Sequence, residues 1–173
     1  MRPARIDRQA PRQEDRGPSD PDKEAPTAPI SESIEINRRP EDVFAYLDDV
    51  ERHGEWQEQI VDVQPQGDEP MGVGKRVRET RRVPGGDRSM TYEVTEYDPP
   101  RQSSFRVLDG PIRAVGTILV EPVGDGSRSR LTLTIDFEGR GISGKVLLPL
   151  AKSQARKQIP KDQERMKELL ESN

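Results

Sequence analysis

The sequence predicts an α+β domain in which a curved antiparallel sheet wraps around one long C-terminal helix, with two short helices after the first strand. Three observations predict it. From about Lys75 to Glu138 apolar residues alternate at a period of two, in segments that end at Gly- or Pro-rich turns. From Gly144 to Leu170 the spacing becomes helical. A sheet with one apolar face needs a cover, and only this helix is long enough to supply it.

The elements follow in order. Ile30, Glu32, Ile34 and Ile36 alternate with smaller polar residues, a first strand with Glu32 discordant. Arg39-Pro40-Glu41-Asp42 opens a helix, since proline suits the first turn and acids favour the positive helix end. Val43, Phe44 and Leu47 form its apolar face. Asp48 to Gly54 gives a second short turn or helix, followed by Trp56, the one tryptophan. Strands are then expected at Ile60 to Val63, Lys75 to Val83, Arg88 to Tyr97, Ser103 to Leu108, Ile112 to Val120 and Arg128 to Glu138. Pro84-Gly85-Gly86 and Gly124-Asp125-Gly126-Ser127 are the clearest turns between them. Val146, Leu147, Leu150, Ile159, Met166, Leu169 and Leu170 supply the expected inward stripe of the last helix, which Pro160 should kink or break.

Composition bounds the rest. Residues 1–29 hold six prolines and twelve charges with almost no large apolar side chain except Ile6, which predicts a disordered tail before a domain over 30–173. A net charge of -4 gives no overall attraction to nucleic acid. The absence of cysteine excludes disulfides and thiolate metal sites, a single histidine excludes any site of two imidazoles, and no metal or other cofactor is expected. No apolar run reaches the ~20 residues that span a bilayer, and the N-terminus lacks a secretory apolar core, so the expected location is cytoplasmic.

The pattern from Ile34-Glu35-Ile36-Asn37-Arg38-Arg39-Pro40-Glu41-Asp42-Val43-Phe44, through Trp56 and Gly72-Val73-Gly74, is distinctive. So are Tyr92-Glu93-Val94-Thr95-Glu96-Tyr97-Asp98-Pro99-Pro100, Gly116-Thr117-Ile118-Leu119-Val120-Glu121-Pro122 and the last strand. Together with the element order they resemble the helix-grip fold of the polyketide cyclase/START-related superfamily, which includes the birch-pollen-allergen-like proteins. The resemblance covers about residues 30–171. It implies a cavity between sheet and last helix that holds a small hydrophobic ligand, a lipid, polyketide or similar metabolite. Such a chamber serves binding or transport, or, in aromatase/cyclase relatives, ring closure by substrate positioning.

Alternation nominates the wall of that cavity. Val77, Glu79 and Arg81 share a strand face, and the opposite register would turn Arg76, Arg78 and Arg82 inward at high cost. With that parity the inward set includes Met90, Tyr92 and Val94; Phe105 and Val107; Ala114, Gly116 and Ile118; and Leu133 and Ile135. Leu150 faces them from the helix, and Trp56 is either a cavity wall or a core plug. Small residues at Ala114 and Gly116 suggest unfilled volume. Glu79, Arg81 and Tyr92 are the only candidates for catalytic work, although Glu79 and Arg81 also suit a plain ion pair.

Three further features carry a plainer expectation. His53, in a polar turn without an orienting partner in sequence, reads as a surface histidine. Gly139-Arg140-Gly141-Ile142-Ser143-Gly144-Lys145 fits G-x-G-x-x-G and most of the phosphate-loop pattern G-x-x-x-x-G-K. Val146 stands where a magnesium-binding hydroxyl belongs, and no downstream strand follows, so it reads as a strand-to-helix connection. Lys145, Lys152, Arg156, Lys157 and Lys161 make the start of the last helix basic, which reads first as a solvated helix face. This helix and the tail are the segments available to a protein partner or a membrane surface.

Overall fold

The computed structural model describes residues 28–172. The expected tail falls almost wholly outside them. The chain runs through β1 (Ile30–Ile36), α1 (Pro40–Asp48), a 3-10 turn (Val50–Arg52) and α2 (His53–Trp56). It continues through β2 (Ile60–Gln66), β3 (Arg76–Val83), β4 (Gly86–Asp98), β5 (Gln102–Val107), β6 (Ile112–Val123), β7 (Arg128–Gly139) and α3 (Gly141–Ser172). The strands form one antiparallel sheet in the order β1-β7-β6-β5-β4-β3-β2. This is the helix-grip architecture, with two short helices after the first strand.

Pairing register settles which way each side chain points, because partners directly opposite in antiparallel strands share a face. Glu79 pairs Met90, and Val77 pairs Tyr92. Tyr92 pairs Val107, and Val94 pairs Phe105. Phe105 pairs Gly116, and Gly116 pairs Ile135. The expected inward set therefore lies on one concave face. The other face carries charge ladders, with Glu93 between Arg76 (2.9 Å) and Arg106 (2.7 Å), and Glu35 beside Arg130 (2.7 Å). Irregularities at Ile60/Asp62 and Val94/Glu96 bend β2 and β4.

The core divides into two clusters. The first joins Ile36, Val43, Phe44, Leu47, Trp56, Val120, Leu131, Met166 and Leu170, so α1 and the end of α3 seal one half of the sheet. Gln163 ties that seal to β1, donating from Nε2 to the Glu32 carbonyl (3.3 Å). The second cluster centres on Val77, Tyr92, Val107 and Ala114, with Met90, Phe105, Ile135 and Phe137 only partly covered.

Pro160 does not break α3, and the expected inward stripe is corrected. The helix is continuous from Gly141 to Ser172, with Pro149 and Pro160 inside it. Each proline deletes one ladder bond. Beyond Pro160, burial of Met166 and Leu170 holds the following turns in place. The inward stripe also does not run the length of the helix. Ile159 lies nine residues after Leu150, and at about 100° per residue that places them on opposite sides. Ile159 is buried, whereas Leu150 is 52% exposed and Val146 73%.

The G-x-G-x-x-G stretch is a packing corner. Gly141 has φ +65°, open to glycine at no steric cost. A Cβ on Gly139 would meet the Gly144 carbonyl oxygen, and one on Gly144 would meet the Pro111 carbonyl oxygen. The glycines let β7, the β5–β6 turn and the start of α3 touch backbone to backbone, which accounts for the motif without a phosphate.

Candidate functional site

Polar residues gather at one end of the concave face. Glu79, on β3, is 2% exposed. Its Oε2 accepts from Arg81 Nε (3.0 Å), and Arg81 Nη2 also donates to Gln57 Oε1 (2.6 Å). Its Oε1 lies 3.2 Å from His53 Nδ1. The other ring nitrogen of His53 lies 2.9 Å from the Leu47 carbonyl oxygen. Both nitrogens thus face acceptors, and only the doubly protonated ring donates to both.

α2 exists to deliver these groups. Its four residues place His53 over Glu79, Trp56 edge-on to the His53 ring at 5.4 Å between centroids, and Gln57 at the helix end against Arg81. An outer belt fixes α2 to α1. Tyr46 donates to Glu55 (2.9 Å), while the Arg52 guanidinium lies 4.4 Å from the Tyr46 ring centroid.

Electrostatics assign states. Burial alone would raise the Glu79 carboxyl, but the Arg81 charge and the hydrogen bond from His53 outweigh it and hold the group at about 2. Burial pushes the Tyr92 phenol up, and the Glu79 charge adds to the rise. Glu79 is therefore a fixed anion in an ion-pair network, and Tyr92 a neutral hydroxyl. Burial also raises Asp162 of α3, against a hydrogen bond from Gln158 and the field of Arg81.

Most sequence-nominated residues meet here or beside it. Trp56, Val77, Glu79, Tyr92, Val94, Val107 and Ala114 are buried; Arg81, Met90, Phe105, Ile118, Leu133 and Ile135 are partly exposed. Two are placed differently. Leu150 points away from the sheet. Gly116 is covered by the Phe105 ring, which occupies the place a Cβ would take, so its smallness serves packing and not a vacancy. Trp56 is a core plug, yet its buried indole N–H has no hydrogen-bond partner among the described residues.

Sequence reasoning missed His53 and Gln57, both of which the structure brings to the network. Two clefts of about 550 and 430 Å³ lie elsewhere, along α3 at Pro160 to Glu168 and in the β2–β3 loop at Gln66 to Arg76. On the concave face an apolar wall is left only partly covered at Met90, Phe105, Ile135 and Phe137. Among the described residues no cluster of potential ligands for a metal ion occurs, and no helix is long and apolar enough to cross a membrane.

Comparison with known proteins agrees with this geometry. The family model described as polyketide cyclase / dehydrase and lipid transport matches residues 27–171. No curated protein matches the sequence. Among solved structures, the Zhui aromatase/cyclase from a Streptomyces species aligns with TM-score 0.71 at 19% identity, covering 83% of this chain and 93% of that one. A START superfamily protein from Mycobacterium smegmatis aligns with TM-score 0.69 at 15% identity over 84% and 99%. A Thermus thermophilus protein aligns with TM-score 0.69 at 20% identity over 83% and 97%. At these identities the likeness is one of fold.

Proposed function

The chain belongs to the polyketide cyclase / dehydrase and lipid transport family, and from that membership we propose that its concave face binds or carries a small hydrophobic molecule. The observation that supports this most is the apolar wall of the concave face left only partly covered at Met90, Phe105, Ile135 and Phe137. Burying such surface from water is favourable by about 25 cal/mol per Å². Arg81, partly exposed, borders the network end. Its guanidinium suits a ligand with an acceptor, a carbonyl or carboxylate, at one end of an apolar body.

A second reading, aromatase/cyclase chemistry, draws on Glu79, Arg81 and Tyr92 sharing that wall. The charge states restrict it. A carboxylate held at about 2 is a poor proton acceptor near neutrality. Tyr92 and Arg81 would then act by holding a reactive chain in place.

Native mass spectrometry of the purified full chain, followed by titration with a fluorescent fatty-acid analogue, tests the first reading. A one-to-one complex weakened by Phe105→Ala and by Arg81→Ala supports it. No complex with fatty-acid, sterol or aromatic polyketide probes overturns it. Turnover of a poly-β-ketone surrogate that drops in Arg81→Ala and Tyr92→Phe supports the second reading. Turnover untouched by both rejects those assignments.

A further inference from the structure

The first half of α3 has two features that the concave face does not use. Ile142, Val146 and Leu150 recur at i, i+4 and i+8 and are 86%, 73% and 52% exposed. They form one outward stripe along a helix whose opposite side, at Gly144 and Ile159, is buried. The second feature is charge. From Arg140 to Lys161 there are six basic residues and no acid, in a chain whose net charge is -4. Lys145, Arg156, Lys157 and Lys161 are exposed. Beyond them acids return at Asp162, Glu164, Glu168 and Glu171, where the helix seals the first core cluster. Exposed apolar residues therefore coincide on the same turns with the exposed positive charges of Lys145, Arg156, Lys157 and Lys161.

We propose that this half of α3 lies flat on an anionic lipid surface, with Ile142, Val146 and Leu150 entering the headgroup boundary and the flanking lysines and Arg156 meeting lipid phosphates. An outward apolar stripe rimmed by basic side chains, too short to span, matches interfacial binding. A second copy of this chain fits poorly, because pairing the stripe with itself would bring like charges together. The glycine corner fixes this helix start against Pro111 and Gly139, and Phe137 lies on the strand just before it. The surface thus sits beside the apolar wall, although docking does not depend on what that wall holds.

Co-flotation of the full chain, without added ligand, with vesicles of phosphatidylcholine alone or with phosphatidylglycerol tests the proposal. Binding is expected only to the anionic vesicles, falling as salt rises. Lys145→Glu/Lys157→Glu should weaken it at least roughly thirty-fold, since one basic side chain near such a surface contributes on the order of fivefold. Val146→Ser/Leu150→Ser should weaken it comparably while circular dichroism stays unchanged, because these side chains are exposed. Equal binding to neutral vesicles overturns the proposal. So does anionic binding that both variants retain, which would assign it to another segment. Self-association that Val146→Ser/Leu150→Ser abolishes, with no vesicle binding, assigns the stripe to a second copy and overturns it too.

Discussion

His53 Nδ1 lies 3.2 Å from Glu79 Oε1, and this contact links α2 to the concave face of β3. Glu79 is thereby shared between a ring above it and the Arg81 guanidinium beside it, 2.9 Å from Oε2. The pairing converts a carboxylate that burial would neutralise into a permanent anion, and it immobilises the short segment carrying Trp56 and Gln57.

Removing Glu79 should therefore cost more than removing an ordinary surface acid. Glu79→Ala leaves a nearly buried histidine and a three-quarters-buried arginine without their common partner. Breaking a buried pair in this way destabilises by about 3–5 kcal/mol. Urea denaturation should show a lower midpoint with an unchanged slope. A loss below about 1 kcal/mol would mean that the network is solvated and energetically slack.

The same carboxylate predicts a pH dependence. Its folded value, about 2, lies below the ordinary 4.5, so the folded state binds fewer protons than the unfolded state. The stability it contributes is complete above about 4.5 and is lost as pH falls towards 2. The full loss is on the order of 3 kcal/mol. Asp48 and Asp162, raised chiefly by burial, act in the opposite sense, since protonating them relieves strain in the folded state. The diagnostic is thus the difference between wild type and Glu79→Gln across this window. The wild-type curve should fall more steeply, and parallel curves would refute the assignment.

How much of this was legible in the sequence depends on the range of the signal. The inward direction of Glu79 and Arg81 follows from the period-two rule applied to Val77 and its neighbours, and pairing of Val77 with Tyr92 agrees. The partner of Glu79 was hidden because His53 lies 26 residues away on a four-residue helix within a polar run. A signal was present. Val50, His53 and Gln57 fall at i, i+3 and i+7, a helical face on which Val50 and Gln57 are buried. Leu150 misled for the opposite reason, since a helix with apolar residues on two sides offers two stripes and sequence does not say which is covered. The glycine stretch reads from sequence as a strand-to-helix connection, but the start of α3 within it and its close backbone contacts with Pro111 arise from tertiary structure.

That corner predicts a sharp asymmetry between neighbours. A Cβ on Gly144 meets the Pro111 carbonyl oxygen and the Gly139 backbone, none of which is a movable side-chain end. Gly144→Ala should lower stability by about 1–3 kcal/mol, as overpacking does. Ser143→Ala, one residue away and exposed, should be nearly neutral. Thermal unfolding of the two variants distinguishes them, and equal midpoints would show that the helix start shifts freely.

Gly116 and Phe105 allow the packing reading of the small residue to be separated from the ligand reading. A Cβ on Gly116 would overlap the Phe105 ring, which itself tilts against Tyr92 at 5.5 Å between centroids. Gly116→Ala must displace that ring, at a cost of about 1–3 kcal/mol. Phe105→Leu also destabilises, by removing buried ring atoms. In the double variant the smaller leucine leaves room for the new methyl group, so the combined loss should fall short of the sum by about 1 kcal/mol. If Gly116 instead kept space for a bound molecule, Gly116→Ala would leave stability of the free protein unchanged and weaken only ligand binding. Additive losses in urea denaturation would also separate the two residues, and with them the contact that covers Gly116.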